Sequence, residues 1–133
     1  PLLRALVVDD NNINVRVMSK MLNQFSIRHS CACSGEQAIE LVMNDTFDII
    51  FLDVQMPGMH GLEATRIIRE LAKNGTISYN PMVILVTGAD FATMQQETQG
   101  LDIQGILQKP LRMQQLKNAL ISLSRHSTSQ NQK

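Results

Sequence analysis

The chain has no tryptophan, one tyrosine and four phenylalanines, so aromatic residues fill only 4% of its 133 positions. Proteins that hold single-stranded nucleic acid by stacking its bases need more ring surface than this. An excess of one charge is also missing: 12 Lys+Arg stand against 12 Asp+Glu. That balance removes the electrostatic footprint of a nucleic-acid binder. Long hydrophobic runs are absent, and the longest core-like stretch, Asp48–Val54, already contains Asp53. It falls far short of the roughly 18 apolar residues that span a bilayer, so no membrane contact is expected of this segment.

Cysteine is scarce as well. Cys31 and Cys33 are too few for a disulfide framework. On a strand they point the same way, which does not favour a bond between them. A metal site would need more such ligands nearby. The expectation is two reduced, buried thiols and a cytoplasmic location. The sequence begins at Pro1 with neither an initiator Met nor a charged-then-apolar leader, and reads as a segment of a longer protein.

What is present is 44% apolar residues in 133 positions, enough to build one hydrophobic core. Short apolar runs alternate with helical patterns. The spacing predicts strands at Leu3–Val8, Arg28–Cys33, Phe47–Leu52, Met82–Val86 and Gln104–Gln108. Between and after them it predicts helices at Asn12–Phe25, from Ser34 onward, at Leu62–Lys73, Asp90–Gln99 and Met113–Arg125. Val17, Met18, Met21, Leu22 and Phe25 form the apolar stripe of the first helix; Ile13 lies off it and should face solvent. Ser34 followed by Gln37 is a capping-box pattern. Asn74–Pro81 reads as a long loop, His29, His60 and His126 as solvated positions, and Met18, Met21 and Met82 as core. Residues 1–126 form the expected domain, and 127–133 a polar, disordered tail. Strict alternation of strand and helix implies a single doubly wound parallel α/β sheet, and such sheets bind ligands beyond the carboxyl ends of their strands.

The apolar runs end in chemistry. The first ends in Asp9 and Asp10, the third in Asp53, the fourth in Thr87 and the fifth in Lys109. Parallel strands would gather these side chains on one edge. Three crowded carboxylates repel unless cations intervene; Lys109 offsets one charge, and Mg²⁺ takes carboxylate oxygens while keeping several waters. Carboxylates beside Mg²⁺, an ammonium and a hydroxyl are what phosphoryl transfer to an aspartate requires.

Val7-Val8-Asp9-Asp10-Asn11, Leu52-Asp53-Val54-Gln55-Met56-Pro57-Gly58, Val86-Thr87-Gly88 and Lys109-Pro110 together resemble the receiver domain of two-component response regulators. Asn11-Asn12-Ile13-Asn14 and Gly61-Leu62-Glu63-Ala64-Thr65 are similar to receivers of hybrid sensor histidine kinases. The resemblance implies a (βα)5 flavodoxin-like sheet of order 2-1-3-4-5 and a cis bond before Pro110. It implies that Asp53 accepts phosphate from a phosphohistidine and that Thr87 and Lys109 contact the phosphoryl group. It also implies that Asp10, Asp53 and the backbone carbonyl of Gln55 bind Mg²⁺ (with Mn²⁺ as the alternative ion), Asp9 acting through water and pairing with Lys109. The module would switch conformation through Thr87 and Ile106, or pass its phosphate on. It would turn over no free substrate beyond slow autodephosphorylation. The implied partner is a histidine kinase or histidine phosphotransfer protein, with Ile13 and Pro110 as docking residues on a monomeric domain.

This sequence departs from the family in three places. Ile106 stands where an aromatic residue is common, Gly88 where alanine is common, and His60 where aspartate is common. Three rivals remain. A degenerate receiver that only binds partners is weakened by the complete acidic set. An aspartyl-nucleophile phosphatase needs a second Asp two residues after the first, where this chain has Gln55. A flavin or nucleotide binder on this architecture would need a phosphate-cradling glycine loop, and none is present.

Overall fold

The computed structural model describes residues 3–131, with side chains described as far as 123. Strands and helices alternate throughout: β1 (Arg4–Val8), α1 (Asn12–Gln24), β2 (Arg28–Ala32), α2 (Gly35–Asn44), β3 (Ile49–Asp53), α3 (Gly61–Lys73), β4 (Met82–Thr87), α4 (Phe91–Glu97), β5 (Gly105–Gln108) and α5 (Met113–Asn131). All strand pairs are parallel, in the order β2-β1-β3-β4-β5. This is the expected topology.

Caps decide where the helices begin. Asn11 Oδ1 accepts from the N–H groups of Ile13 at 2.8 Å and Asn14 at 3.2 Å, satisfying two donors that α1 would otherwise leave open. Ser34 Oγ accepts from Gln37 N–H at 3.1 Å, and Gln37 Oε1 reaches back to Cys33 N–H at 2.7 Å. This reciprocal pair resembles a capping box, displaced by one residue at its return bond. Asp90 caps α4 through Thr93 N–H. The cap of α3 is His60, whose Nδ1 accepts from Leu62 N–H at 3.3 Å, so this side chain is more than a solvated loop residue.

Two apolar layers enclose the sheet. Leu6, Val8, Ile50 and Leu52 point to one face and meet α2, α3 and α4 through Ala38, Val42, Ile68 and Met94. Ala5, Val7, Ile49 and Phe51 point to the other and meet Met18 and Leu22 of α1 and Leu116 and Leu123 of α5. Successive strand residues thus serve opposite layers, which is why β3 reads as an unbroken apolar run. Each such Leu, Ile or Phe contributes about 1.5–3 kcal/mol by leaving water.

Several expectations need correction. Cys31, on the edge strand β2, and Cys33, one residue past its end, are both exposed free thiols. Val17 is 40% exposed and Ile13 70%, so Val17 belongs one turn along from Ile13 on the open side of α1. Met18 is buried, whereas Met21 and Met82 are half-buried. His29 is half-buried beside the Ile27 carbonyl, and the side chain of His126 lies outside the described residues. Backbone helix α5 continues to Asn131, past the expected end at Arg125 and into the stretch read as a tail. The loop before β4 is long but anchored: Ile77 is buried, and Tyr79 Oη lies 2.8 Å from the carbonyl oxygens of both Val42 and Asp45.

Candidate functional site

The carboxyl ends of β1, β3, β4 and β5 open onto one edge of the sheet, and the polar residues there come from four separate strand ends. Asp9 follows β1 and is buried; its Oδ1 accepts from Asn11 N–H at 2.9 Å. Asp10 is exposed beside it. Asp53 ends β3, is only 2% exposed, and accepts from Gln55 N–H at 3.2 Å. Carboxylate oxygens of Asp9, Asp10 and Asp53 all lie within 4.8 Å of one another.

Lys109 enters from the end of β5. Its Nζ donates to Asp53 Oδ1 at 3.1 Å and stands 3.9 Å from Asp9 Oδ2. The ammonium is therefore closer to Asp53 than to Asp9, the partner implied by the resemblance. The Lys109–Pro110 bond is cis, as expected. Burial holds the Asp53 carboxyl above its ordinary range, and the neighbouring Asp9 charge adds to the effect. The Lys109 hydrogen bond and charge, with the Gln55 N–H, act in the opposite direction. The balance is a carboxylate short of positive charge, set beside two more carboxylates. Hard oxygen donors at this spacing suit a small divalent cation.

Thr87 ends β4 and is fully buried. Its Oγ1 accepts from Ala89 N–H at 3.0 Å, and among the described residues it makes no hydrogen bond to Asp53 or Lys109. Ile106 lies away from the carboxylates, in the middle of β5 opposite Leu85, half-buried against the α2–α4 layer. Ile13 sits at the start of α1 with its side chain in solvent, and Pro110 is exposed next to Lys109.

A cavity of about 200 Å³ runs from Asp53 and Lys109 toward α1, walled by Val7, Val17, Met18, Phe51, Pro110 and Leu111 among others. Val17 joins this surface, although its place in the apolar stripe of α1 suggests the core. The signal was available: Val17 lies four residues after Ile13, and therefore one turn along the same helix face.

A 2-1-3-4-5 doubly wound sheet with carboxylates and a lysine at its carboxyl edge defines a class of α/β proteins with an acidic, cation-ready site. Within that class, the chain belongs to the response regulator receiver domain family, whose sequence profile matches residues 5–121. It is 33% identical over 116 residues to hybrid signal transduction histidine kinase B of Dictyostelium discoideum, covering 82% of this chain but 6% of that protein. Among solved structures, a mutant receiver domain of the histidine kinase CKI1 from Arabidopsis thaliana is 32% identical. It superposes with a TM-score of 0.81 over 92% of this chain and 90% of that one. A Saccharomyces cerevisiae receiver, that of Ssk1 in complex with the histidine phosphotransfer protein Ypd1, has a TM-score of 0.80 at 24% identity. That match covers 88% of this chain and 85% of the other. The chain spans only a small part of its kinase relatives. Accepting a phosphoryl group on an aspartate is the role of the family.

Proposed function

We propose that Asp53 is the phosphoacceptor and that a phosphohistidine on a histidine kinase or histidine phosphotransfer protein is the donor. The observation that carries this reading is the Lys109 ammonium 3.1 Å from a buried Asp53 carboxylate, within a set of three converging carboxylates. An Asp53 oxygen attacks phosphorus as the bond from phosphorus to the imidazole nitrogen breaks, and the electron pair returns to the ring. Lys109 screens the developing charge on the phosphoryl oxygens, and Thr87 then donates its hydroxyl proton to one of them. Asp10, Asp53 and the carbonyl of Gln55 would hold Mg²⁺ directly and Asp9 through water. When bound, the ion supplies positive charge to the transferring oxygens.

The exposed Val17 and Pro110 line the cavity, Ile13 lies one turn before Val17 on α1, and in our reading all three dock the donor's histidine-bearing surface. Their free apolar area beside a charged site suits a transient interface. Two free, exposed thiols support a reducing, cytoplasmic setting. No helix among the described residues is long and apolar enough to cross a membrane.

Paired phosphodonors test both parts. A phosphohistidine-bearing protein and acetyl phosphate should each label the wild type and leave Asp53→Asn unlabelled. Ile13→Asp should slow transfer from the protein donor about tenfold, the equivalent of about 1.4 kcal/mol at the interface, and spare labelling by acetyl phosphate. Equal slowing with both donors would remove the docking role, and labelling of Asp53→Asn would remove the acceptor role.

A further inference from the structure

The segment Thr87-Gly88-Ala89 carries the buried hydroxyl of the site, and three hydrogen bonds hold it. Lys109 N–H donates to the Thr87 carbonyl at 2.7 Å, extending the β4–β5 ladder by one step. Ala89 N–H donates to Thr87 Oγ1 at 3.0 Å. Gln108 Nε2 donates to the Ala89 carbonyl at 2.9 Å, tying the loop after β4 to the last residue of β5. Ala89 is half-buried against the α2–α4 layer. A side chain at Gly88 would meet nothing within 4 Å, and Ile106 supplies no ring on the neighbouring strand.

We propose that Gln108 is a positioning residue: its amide latches Ala89, keeps the Thr87 hydroxyl turned onto the Ala89 N–H, and gates the movement that brings this hydroxyl to the phosphoryl group during transfer. This rests on the receiver reading of the same site. Among the described residues Thr87 Oγ1 makes no hydrogen bond to Asp53, so reaching an oxygen of the phosphoryl group there displaces Oγ1, and the Ala89 N–H bonded to it, against the Gln108 amide. The latch is suited to opening. Gln108 is exposed, so water replaces the lost bond at small cost. Gly88 leaves the chain free to turn. Coupling between the site and the β5 edge then runs through one amide rather than through a buried ring.

Gln108→Met keeps the length of the side chain and removes the donor; Gln108→Glu keeps the shape and offers an acceptor to a carbonyl. Both should raise the rate of Mg²⁺-dependent phosphorylation by acetyl phosphate about twofold to tenfold, the range one exposed neutral hydrogen bond sets. In the unphosphorylated protein, hydrogen exchange at the Ala89 amide should quicken by a similar factor while the β4 amides keep their protection. An unchanged or slower phosphorylation rate in both variants, or unchanged exchange at Ala89, overturns the latch. A wild type that takes no phosphate overturns the receiver reading instead, and the exchange arm still decides whether Gln108 holds the loop.

Discussion

At Asp53, burial and the neighbouring Asp9 both resist ionisation, and Lys109 only partly compensates. The consequence for stability has a definite sign. A carboxyl with its folded pKa raised binds protons more readily in the folded state than in the unfolded one, so stability falls as pH rises. The loss begins near the ordinary value of 3.8 and is complete above the raised folded value. In thermal unfolding without divalent cations, the stability of Asp53→Asn relative to the wild type should therefore rise from acid toward neutral pH. An identical pH profile in the two proteins would mean that the carboxylate is better compensated than the geometry implies. Residue identities at the site were legible in the sequence because each apolar run stops at a polar side chain. Exposure was less legible: Cys31 looks like a core residue until its strand proves to lie at the edge of the sheet.

The elements depend on how closely their ends approach. The first residue of α3, Gly61, packs against the end of β3, where an added Cβ would stand 2.3 Å from the Asp53 carbonyl oxygen and 2.8 Å from Val54 Cα. Both obstacles are backbone, so neither can swing aside. Gly61→Ala should cost about 1–3 kcal/mol, measured by urea unfolding, because the start of α3 must back away from the strand that carries Asp53. It should also slow phosphorylation. A variant as stable as the wild type would show that this end of α3 is looser than its packing suggests. One helix start was legible through its cap, Ser34 with Gln37, whereas the caps at Asn11 and Asp90 emerge only with the structure, although both side chains favour that position. His60 was not legible either, since histidine caps a helix only when Nδ1 is unprotonated and turned toward the N–H it accepts.

In the whole molecule, parallel order is what assembles the site. Alternation of strand and helix forces every strand to run the same way, so residues a hundred positions apart share one edge; this much follows from pattern alone. Lateral relations do not. Whether Lys109 leans to Asp53 or Asp9 depends on distances of 3.1 and 3.9 Å that no spacing rule contains. The bond from Gln108 to Ala89 depends on β4–β5 register, and the opening of Val17 onto the cavity depends on how α1 rolls against the sheet.

The most direct test of the account is the intact mass of wild type and Asp53→Asn after incubation with acetyl phosphate, with and without Mg²⁺. Borohydride reduction and peptide mapping of the product would locate any acyl phosphate. The account predicts a single phosphoryl group that requires Mg²⁺, is absent from Asp53→Asn, and is recovered as homoserine at position 53. Phosphate found on another residue, or gained without any divalent cation, would contradict it.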